Sequence, residues 1–480
     1  MSHQQTFPLK NKKVLLVGLG LLGGGLSTAL WLLKKGAKLT ITDLQSKKEL
    51  SPSLEKLKKY KNKIKFVLKK HQKEDFLKNE LIVINPAVKT FNNPYLTLAQ
   101  KKKIPIENEL TLFIQYFQNK NKDNFFNQLI AITGTRGKTT TSHWLFEFLS
   151  LKYKPILALN NPDFPLLSLT NLIKNFENPI ILEIPSYHLE LVKNFSPKMA
   201  IITNLYPDHL NRYQNIKKYA QVKANIFKSQ SSNDYLILNK DNPWTKFFLS
   251  LKPKAQVYFI SKKPLPSFQN GIFLLNNYLY FQFNQKRKRL FSVKKFIKKW
   301  GLFNIENLME ALLAAYLFNL DFKTLKNKIP LLKPIKFRQE EIFSNKYVKI
   351  INDSAATIPE ATIIAIKKFS KDNLILITGG TDVQLNFKDL AKEIKNNISK
   401  GNLILLNDSA TQKLIQELKK IRYHQFFVYE TLKECVLKAK ELIKNKKGII
   451  LFSPGAKSFN KFKNEYHRGE VFNNLIKEIF

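Results

Sequence analysis

The sequence has a single cysteine and no long apolar run. Cys435 alone excludes a disulfide framework and is typical of a reducing compartment. The residues before Val14 contain no apolar stretch that would form a secretory signal. Later apolar runs are broken by Lys and Gly, and they fall short of the roughly 20 residues needed to span a bilayer. We therefore expect a cytoplasmic protein without membrane insertion. Separately, we expect a monomer.

Acidic side chains are also scarce. Asp and Glu number 36 against 80 Lys and Arg, which gives a formal net charge of +44. Such a field attracts nucleic acid or anionic lipid. Only seven basic residues are Arg, however, and the lysines are spread along the whole chain. This distribution indicates that the charge comes from compositional drift on solvated faces and not from selection for a binding partner. The best local candidate for a nucleic-acid site is "QKRKRLFSVKKFIKKW" at 285–300. We expect no obligatory nucleic-acid partner and keep a nucleic-acid-binding ATPase as an alternative.

Short apolar strands alternate with helical segments along the chain, which predicts parallel sheets covered by helices. At 480 residues the chain is too long for a single core. We predict an α/β protein of three domains: a Rossmann-like domain over 1–120, a central P-loop ATPase-type domain over 121–334, and a Rossmann-like domain over 335–480. The polar stretch "QNKNKDNFFNQ" at 118–128 is interpreted as a linker.

A glycine-rich turn follows the first predicted strand. Gly18, Gly20 and Gly23 form a G-x-G-x-x-G pattern that opens a helix, and Asp43 ends the next strand 20 residues later. Such glycines let the backbone approach a diphosphate, whose charge the helix N-terminus favours. The pattern alone fits a nicotinamide-dependent oxidoreductase, a nucleoside diphosphate sugar site with Asp43 as an acceptor, or a turn kept for packing only.

A second glycine loop predicts nucleoside triphosphate binding. The stretch "GTRGKTT" at 134–140 follows an apolar strand and opens a helix, and it ends in the G-K-[ST] of a P-loop. Its backbone N–H groups would hold phosphate oxygens, Lys138 would reach the β- and γ-phosphates, and Thr139 would hold Mg²⁺. Ala131 replaces the usual upstream glycine. The predicted nucleotide-binding residues of this loop are Gly134, Thr135, Arg136, Gly137, Lys138, Thr139 and Thr140.

Further segments recur in a characteristic order. They are "LEIPSYHLE" (182–190), "TNLYPDHLNRYQNIKKYAQVKANIF" (203–227), "GLFNIENLMEALLAA" (301–315), "INDSAAT" (351–357), "GGTDVQLNF" (379–387) and "SPGAKSFNKFKNEYHRGEVF" (453–472). With the two glycine loops, the chain resembles the ATP-dependent Mur ligases from about residue 12 to its carboxyl end. The resemblance implies an ADP-forming ligase of peptidoglycan precursor synthesis that works through an acyl phosphate. The ending "SPGAKSFNKF" and the early "GLG" favour the type that adds D-glutamate to UDP-N-acetylmuramoyl-L-alanine.

The resemblance also assigns roles to single residues. It implies two Mg²⁺ ions bound by Thr139, Glu183, His209 and Lys223, with Lys223 carbamylated. It implies ATP contacts from Asn307, Arg338 and Asp353, and catalytic roles for Lys138, Lys223 and His209. The residues expected to bind the sugar nucleotide are Gly18, Gly20, Leu21, Leu22, Asp43, Asn161 and Ser186.

The sequence departs from the family pattern at several positions, two of which belong to the expected amino-acid pocket. Ala355 and Val383 stand where relatives commonly carry lysine, Phe303 replaces a His, and His188 replaces a Gln. We therefore keep a ligase for L-glutamate or another amino acid, and a ligase that binds without turnover, as alternatives. Lys457 offers a replacement charge. The residues expected to bind the amino acid are Thr357, Ser453, Ser458 and Phe459.

Overall fold

The computed structural model describes residues 9–21, 23–159, 165–174, 176–370, 372–383, 385–444, 446–458 and 460–480, without the side chains of 120–123. Leu22, Asn161 and Phe459, which the sequence assigns to substrate binding, lie outside these residues. The chain divides into two compact units, Met1–Leu332 and Lys333–Phe480. Within the described ranges, no helix has the length and apolar character needed to cross a membrane. The domain bounds at 120 and 334 stay predictions.

The first sheet has the order β3-β2-β1-β4-β5, and its pairings are parallel. Its strands are β1 Lys13–Val17, β2 Lys38–Asp43, β3 Ile64–Leu68, β4 Leu81–Ile84 and β5 Ile106–Glu107. The accompanying helices are α1 Gly24–Lys34, α2 Ser51–Leu57, α3 Lys73–Lys78, α4 Pro94–Lys101 and α5 Glu109–Asn127. The buried run of β1 fits a strand covered on both faces.

The second sheet has the order β14-β13-β12-β11-β10-β9-β6-β8-β7, parallel except for the β12–β13 and β13–β14 pairs. Its strands are β6 Leu129–Thr133, β7 Ile156–Ala158, β8 Ile180–Glu183, β9 Met199–Ile202, β10 Tyr235–Asn239, β11 Gln256–Ser261, β12 Gly271–Leu275, β13 Tyr278–Phe283 and β14 Lys286–Ser292. Its helices are α6 Lys138–Leu149, α7 Ser186–Leu189, α8 Leu210–Tyr213, α9 Ile216–Ala224, α10 Thr245–Ser250, α11 Lys294–Trp300, α12 Ile305–Leu317 and α13 Phe322–Lys328.

The second unit contains a sheet of order β15-β16-β20-β17-β18-β19, in which only the β15–β16 pair is antiparallel among the described residues. Its strands are β15 Glu340–Ser344, β16 Val348–Asn352, β17 Leu374–Thr378, β18 Leu403–Leu406, β19 Phe427–Tyr429 and β20 Gly448–Phe452. Its helices are α14 Pro359–Phe369, α15 Lys388–Asn397, α16 Ser409–Lys420, α17 Leu432–Ile443 and α18 Glu465–Ile479.

The interpretation of 118–128 as a linker is wrong, because helix α5 continues to Asn127. A capping box between Asn108 and Thr111 starts this helix, which satisfies backbone groups at its first turn. Phe125 is fully buried and stacks on Phe117 with ring centroids 5.1 Å apart. Asn119 and Asn124 are exposed, so the polar stretch belongs to a helix whose residues Phe125 and Phe126 lie in the core.

One hydrophobic core serves both sheets of the first unit. A continuous cluster of buried side chains runs from Val14 in β1 through Phe113 in α5 to Ala131 in β6. Trp31 in α1 reaches across and donates its indole N–H to Thr170 Oγ1 at 3.0 Å. The glycine turn after β1 and the loop after β6 are thus held by one packed interior.

Candidate active site

The loop between β6 and α6 has the backbone of a phosphate-binding loop. Gly134 and Gly137 have φ angles of +148° and +83°, which favour glycine. A Cβ on Gly137 would lie 2.2 Å from Asn307 Oδ1, so Asn307 on α12 approaches the loop backbone closely. Asn204, just after β9, accepts the Arg136 N–H at 2.9 Å and holds the loop from its other side.

Two lysines converge on this loop. Lys138 folds back and donates from Nζ to the carbonyl oxygens of Gly134 and Thr135, both at 3.1 Å. Lys223 on α9 is 1% exposed, and its Nζ donates to Gly134 O at 2.8 Å and to Thr133 Oγ1 at 3.1 Å. Burial and the nearby Lys138 charge lower the pKa of Lys223 well below its usual range, although Asp208 and Glu183 oppose this. The charged form of this buried amine is therefore disfavoured.

Oxygen and imidazole groups surround the same loop. Glu183 ends β8, in register with Ile132 of β6 just before the phosphate loop. His209 begins α8 with a φ of +53°, and its half-exposed ring lies 6.2 Å from the ring of Tyr219. In the described part of the chain, no three His, Cys, Asp or Glu side chains form a ready metal cage. Mg²⁺ needs only one or two protein carboxylates beside phosphate oxygens and water, so the donor set fits Mg²⁺ bound with a nucleotide.

A buried carboxyl group stands behind the phosphate loop. Glu310 on α12 is 1% exposed and accepts the Thr141 hydroxyl at 2.8 Å. Burial raises the pKa of Glu310 to about 8. Thr141 also lies 3.4 Å from Asn307 Oδ1, and Asn307 donates to Asn304 Oδ1 at 2.9 Å. Glu310 was not predicted from the sequence. The clue that the sequence offered is a charged residue on the apolar face of a helix.

The glycine turn of the first sheet is held by Asp43. Its Oδ2 accepts the N–H groups of Leu19 at 2.8 Å and Gly20 at 3.1 Å. Asp43 therefore supports the turn directly, a role that the sequence analysis did not foresee. Gly25 is a further required glycine, because a Cβ there would lie 2.3 Å from Leu19 O. Gly18 and Gly20 both have positive φ angles, and Leu21 is half exposed.

A cavity of about 380 Å³ lies between residues of the first sheet and residues of the second sheet within the first unit. Gly20 and Leu21 of the glycine turn line one side, and Glu183 lines the other. Predicted sugar-nucleotide and metal residues thus border one space. Ser186 is buried nearby, with its Oγ 2.9 Å from the hydroxyl of Tyr213.

His188 and Glu109 form a buried pair on the wall of this cavity, with Nε2 and Oε2 3.9 Å apart. Burial lowers the pKa of His188 to about 4 and raises that of Glu109 to about 7. At neutral pH His188 is therefore an uncharged imidazole.

In the second unit, predicted residues gather at the carboxyl ends of parallel strands, where α/β sheets bind ligands. Asp353 follows β16 and accepts the Ser453 hydroxyl at 2.7 Å, and burial raises the pKa of Asp353 to about 7. Ser453 also lies 2.9 Å from Thr362 Oγ1. Ser458 is 2% exposed, and its hydroxyl has no hydrogen-bond partner in the described residues. Arg338 precedes β15 beside Gln339, whose N–H donates to Asp353 at 3.1 Å.

The remaining predicted residues of this unit are less enclosed. Thr357 is half-buried and lies just before α14. Val383 is 41% exposed, in the loop after β17. Ala355 donates its N–H to Phe337 O at 2.9 Å and has no charged group to offer. The described residues near Asp353 include two positive side chains that were not predicted from the sequence. Lys368 donates to Gln339 Oε1 at 3.1 Å, and the fully buried Arg468 donates to Ser354 O at 2.8 Å.

The fold and the phosphate loop define the class of protein as a P-loop α/β enzyme with a preceding glycine-turn sheet. The family description "Mur ligase middle domain" matches residues 132–315, and "Mur ligase MurD-like, N-terminal domain" matches residues 12–108. The UDP-N-acetylmuramoylalanine–D-glutamate ligase of Borreliella burgdorferi (strain ZS7) is 36% identical over 98% of this chain and 99% of its own length. The chain belongs to the Mur ligase family, and the resemblance drawn from its motifs is confirmed.

Solved structures agree in fold. The UDP-N-acetylmuramate–alanine ligase MurC of Thermotoga maritima has a TM-score of 0.58 at 18% identity and covers 98% of this chain and 100% of its own. The MurF ligase of Thermotoga maritima in complex with ADP has a TM-score of 0.54 at 16% identity and covers 98% and 96%. These likenesses concern the fold alone. They confirm the predicted three-domain α/β class.

Proposed function

We propose that this chain is an ATP-dependent, ADP-forming ligase that joins D-glutamate to UDP-N-acetylmuramoyl-L-alanine in cytoplasmic peptidoglycan precursor synthesis. The observation that carries the proposal is the shared cavity. It has the glycine turn on one side and Glu183, beside the phosphate loop, on the other. A sugar nucleotide held at the turn would present its alanyl carboxylate to the γ-phosphate. Neither an oxidoreductase nor a nucleic-acid-binding ATPase needs this arrangement.

The chemistry proceeds in two balanced steps. The alanyl carboxylate attacks the γ-phosphorus of ATP, which forms an acyl phosphate and releases ADP. The amine of glutamate then attacks the acyl carbon, loses a proton, and the tetrahedral intermediate expels phosphate. Lys138, whose Nζ lies on the carbonyls of the phosphate loop, would neutralise charge on the transferring phosphoryl group, since phosphoryl transfer depends mainly on positioning and electrostatics. Water must be excluded because it would hydrolyse the acyl phosphate.

Mg²⁺, when bound with ATP, supplies charge neutralisation at the phosphates. Thr139, Glu183 and His209 would hold it, together with Lys223 as a carbamate. The support for the carbamate is the burial of Lys223, which disfavours its charged form, because only a neutral amine attacks carbon dioxide. The carbamate would convert a buried lysine into an anion directed at the loop that binds the phosphates.

The second unit would supply the amino-acid site. The hydroxyl of Ser458, which has no hydrogen-bond partner among the described residues, would donate a hydrogen bond to a glutamate carboxylate. Lys457 and the Ser453 region would compensate for the absence of lysine at positions 355 and 383. Asn307, Arg338 and Asp353 would contact the adenine, a phosphate and the ribose of ATP.

The proposal is tested by phosphate release with UDP-N-acetylmuramoyl-L-alanine, Mg-ATP and single amino acids as either enantiomer. D-Glutamate is expected to give the highest kcat/KM, with release dependent on all three substrates. Release with L-glutamate or another amino acid in place of D-glutamate would retain the ligase chemistry and reject this specificity. Phosphate release that ignores the sugar nucleotide, with no amide product, would reject the ligase itself.

A further inference from the structure

The largely buried side chain of Arg212 links helix α8, which belongs to the second sheet, to the loop after β4 of the first sheet. It lies on α8, three residues after His209. Its guanidinium donates from Nη1 to Pro86 O at 2.7 Å and from Nη2 to Val88 O at 2.8 Å. The same group makes a two-point ion pair with Glu190, through Nε and through Nη2 at 2.7 Å. One side chain therefore binds the loop after β4 and the segment after α7 together.

The carboxylate of Glu190 accepts hydrogen bonds from both of the segments that Arg212 links. Its side chain is 1% exposed and accepts the Thr90 hydroxyl and the Tyr213 hydroxyl, both at 2.7 Å. A parallel contact runs from Lys89 Nζ to Asn211 O at 3.1 Å. Planar two-point pairing of arginine with a carboxylate fixes orientation as well as distance. The segments 86–90 and 209–213 are thus held in one relative position.

Both segments lead to the proposed reaction centre. Asn85, Pro86 and Ala87 line the cavity beside the glycine turn, and a Cβ on Gly18 would lie 3.1 Å from Asn85 Cβ. At the other end, His209 has a left-handed backbone with φ +53°, a conformation that costs energy unless neighbouring contacts support it. Within this short helix, the Arg212 side chain makes two contacts across to the loop after β4, and the Asn211 carbonyl accepts a third from Lys89.

We propose that Arg212, paired with Glu190, is a positioning residue that keeps His209 in register with the loop bordering the sugar-nucleotide cavity. This rests on the proposed function, in which His209 binds Mg²⁺ and the cavity holds the carboxylate acceptor. Arg212 touches neither reacting atom. Its effect on the reaction is alignment of the acceptor carboxylate with the γ-phosphate.

The test compares Arg212→Lys, which keeps the charge but cannot reach two carbonyls and a carboxylate together, with Arg289→Lys on the exposed strand β14. A misplacement of about 1 Å costs about 100-fold in rate, so we expect a loss of that order in kcat for Arg212→Lys. The KM for ATP is expected to change less than about threefold, because the phosphate-loop contacts remain. Half-saturation by Mg²⁺ is expected to move to higher concentration. Arg289→Lys is expected to match the wild type.

Hydrogen exchange with Mg-ADP as the probe tests the connection without turnover. In the wild type, Mg-ADP is expected to slow exchange in both 208–213 and 86–90. In Arg212→Lys it is expected to slow exchange in 208–213 only. Equal slowing at 86–90 in both proteins would overturn the proposal, whatever the wild-type ligase activity. An inactive wild type with the expected exchange pattern would instead reject the proposed function. A variant with lower thermal stability but wild-type kcat and Mg²⁺ dependence would show a purely structural role.

Discussion

Replacing Glu310 with Gln is expected to stabilise the first unit in a pH-dependent way. Burial raises the pKa of this carboxyl from 4.5 to about 8, so the folded state holds its proton over a range where the unfolded chain has lost it. The folded state therefore binds more protons between these values, and its stability falls as pH rises from about 4.5 to about 8. Glutamine removes this loss and can still hydrogen-bond to Thr141.

The magnitude follows from the size of the pKa change. At 1.36 kcal/mol per pKa unit, the loss is about 2 kcal/mol at pH 6, about 3 at pH 7, and about 5 above pH 8. Glu310→Gln should gain stability over the wild type by amounts of this order, with a constant difference above pH 8. The general effect of the chain's net charge is common to both proteins and cancels in the comparison.

The assay is urea denaturation followed by tryptophan fluorescence between pH 5 and pH 9. The chain has four tryptophans, Trp31, Trp144, Trp244 and Trp300, so the signal reports on the first unit alone. Glu55→Gln, at an exposed carboxyl, is the control and should stay within about 0.5 kcal/mol of the wild type. A stability difference between Glu310→Gln and the wild type that does not change from pH 5 to pH 8 would refute the reasoning.

Three further predictions concern catalysis. Lys138→Ala is expected to lower kcat for phosphate release by about 100- to 1,000-fold, because a preorganised charge is lost from the transferring phosphate; an unchanged kcat would contradict the phosphate-loop role. Lys223→Ala is expected to be nearly inactive and partly rescued by added short carboxylic acids. Full activity of this variant, together with an unmodified Lys223 in wild-type protein prepared with bicarbonate, would contradict the carbamate. Val383→Lys is expected to lower the KM for D-glutamate, since a hydrogen bond to a charged group contributes about 1.5–3 kcal/mol; an unchanged or higher KM would place the carboxylate elsewhere.

The positions of many strands along the chain were accessible from local pattern. The apolar runs of β1, β6, β17 and β20 stand out because strands covered on both faces are apolar throughout. The β12–β14 hairpins were missed, although their signals exist. Asn276 and Asn277, and then Asn284 and Gln285, have positive φ angles at the two turns, where asparagine is favoured. In the sequence, lysine and arginine conceal the strand β14, so 285–300 was considered only as a charged candidate for a nucleic-acid site.

The site was predictable where a motif is contiguous and unpredictable where partners are distant in sequence. "GTRGKTT" locates the phosphate loop by itself. The attachment of Asp43 to the glycine turn depends on how two strands are paired, which spacing alone does not show. Arg212 donates to the carbonyl of Pro86 although the two residues are more than 120 positions apart in the sequence, and no local pattern around either residue predicts this contact. Such contacts follow from the packed fold.

The common interior of the first unit has a consequence for cooperativity. Helix α5 contributes Phe113 and Phe117 to a cluster that also includes residues of β1 and β6, so each sheet buries one of its two faces in an interior that it shares with the other. The opposite faces pack in clusters of their own. A fragment that ends near residue 108 would leave those surfaces in water and should be prone to aggregation. Residues 9–332 should therefore melt as one block, while residues 333–480, with their own interior, form a separate folding module.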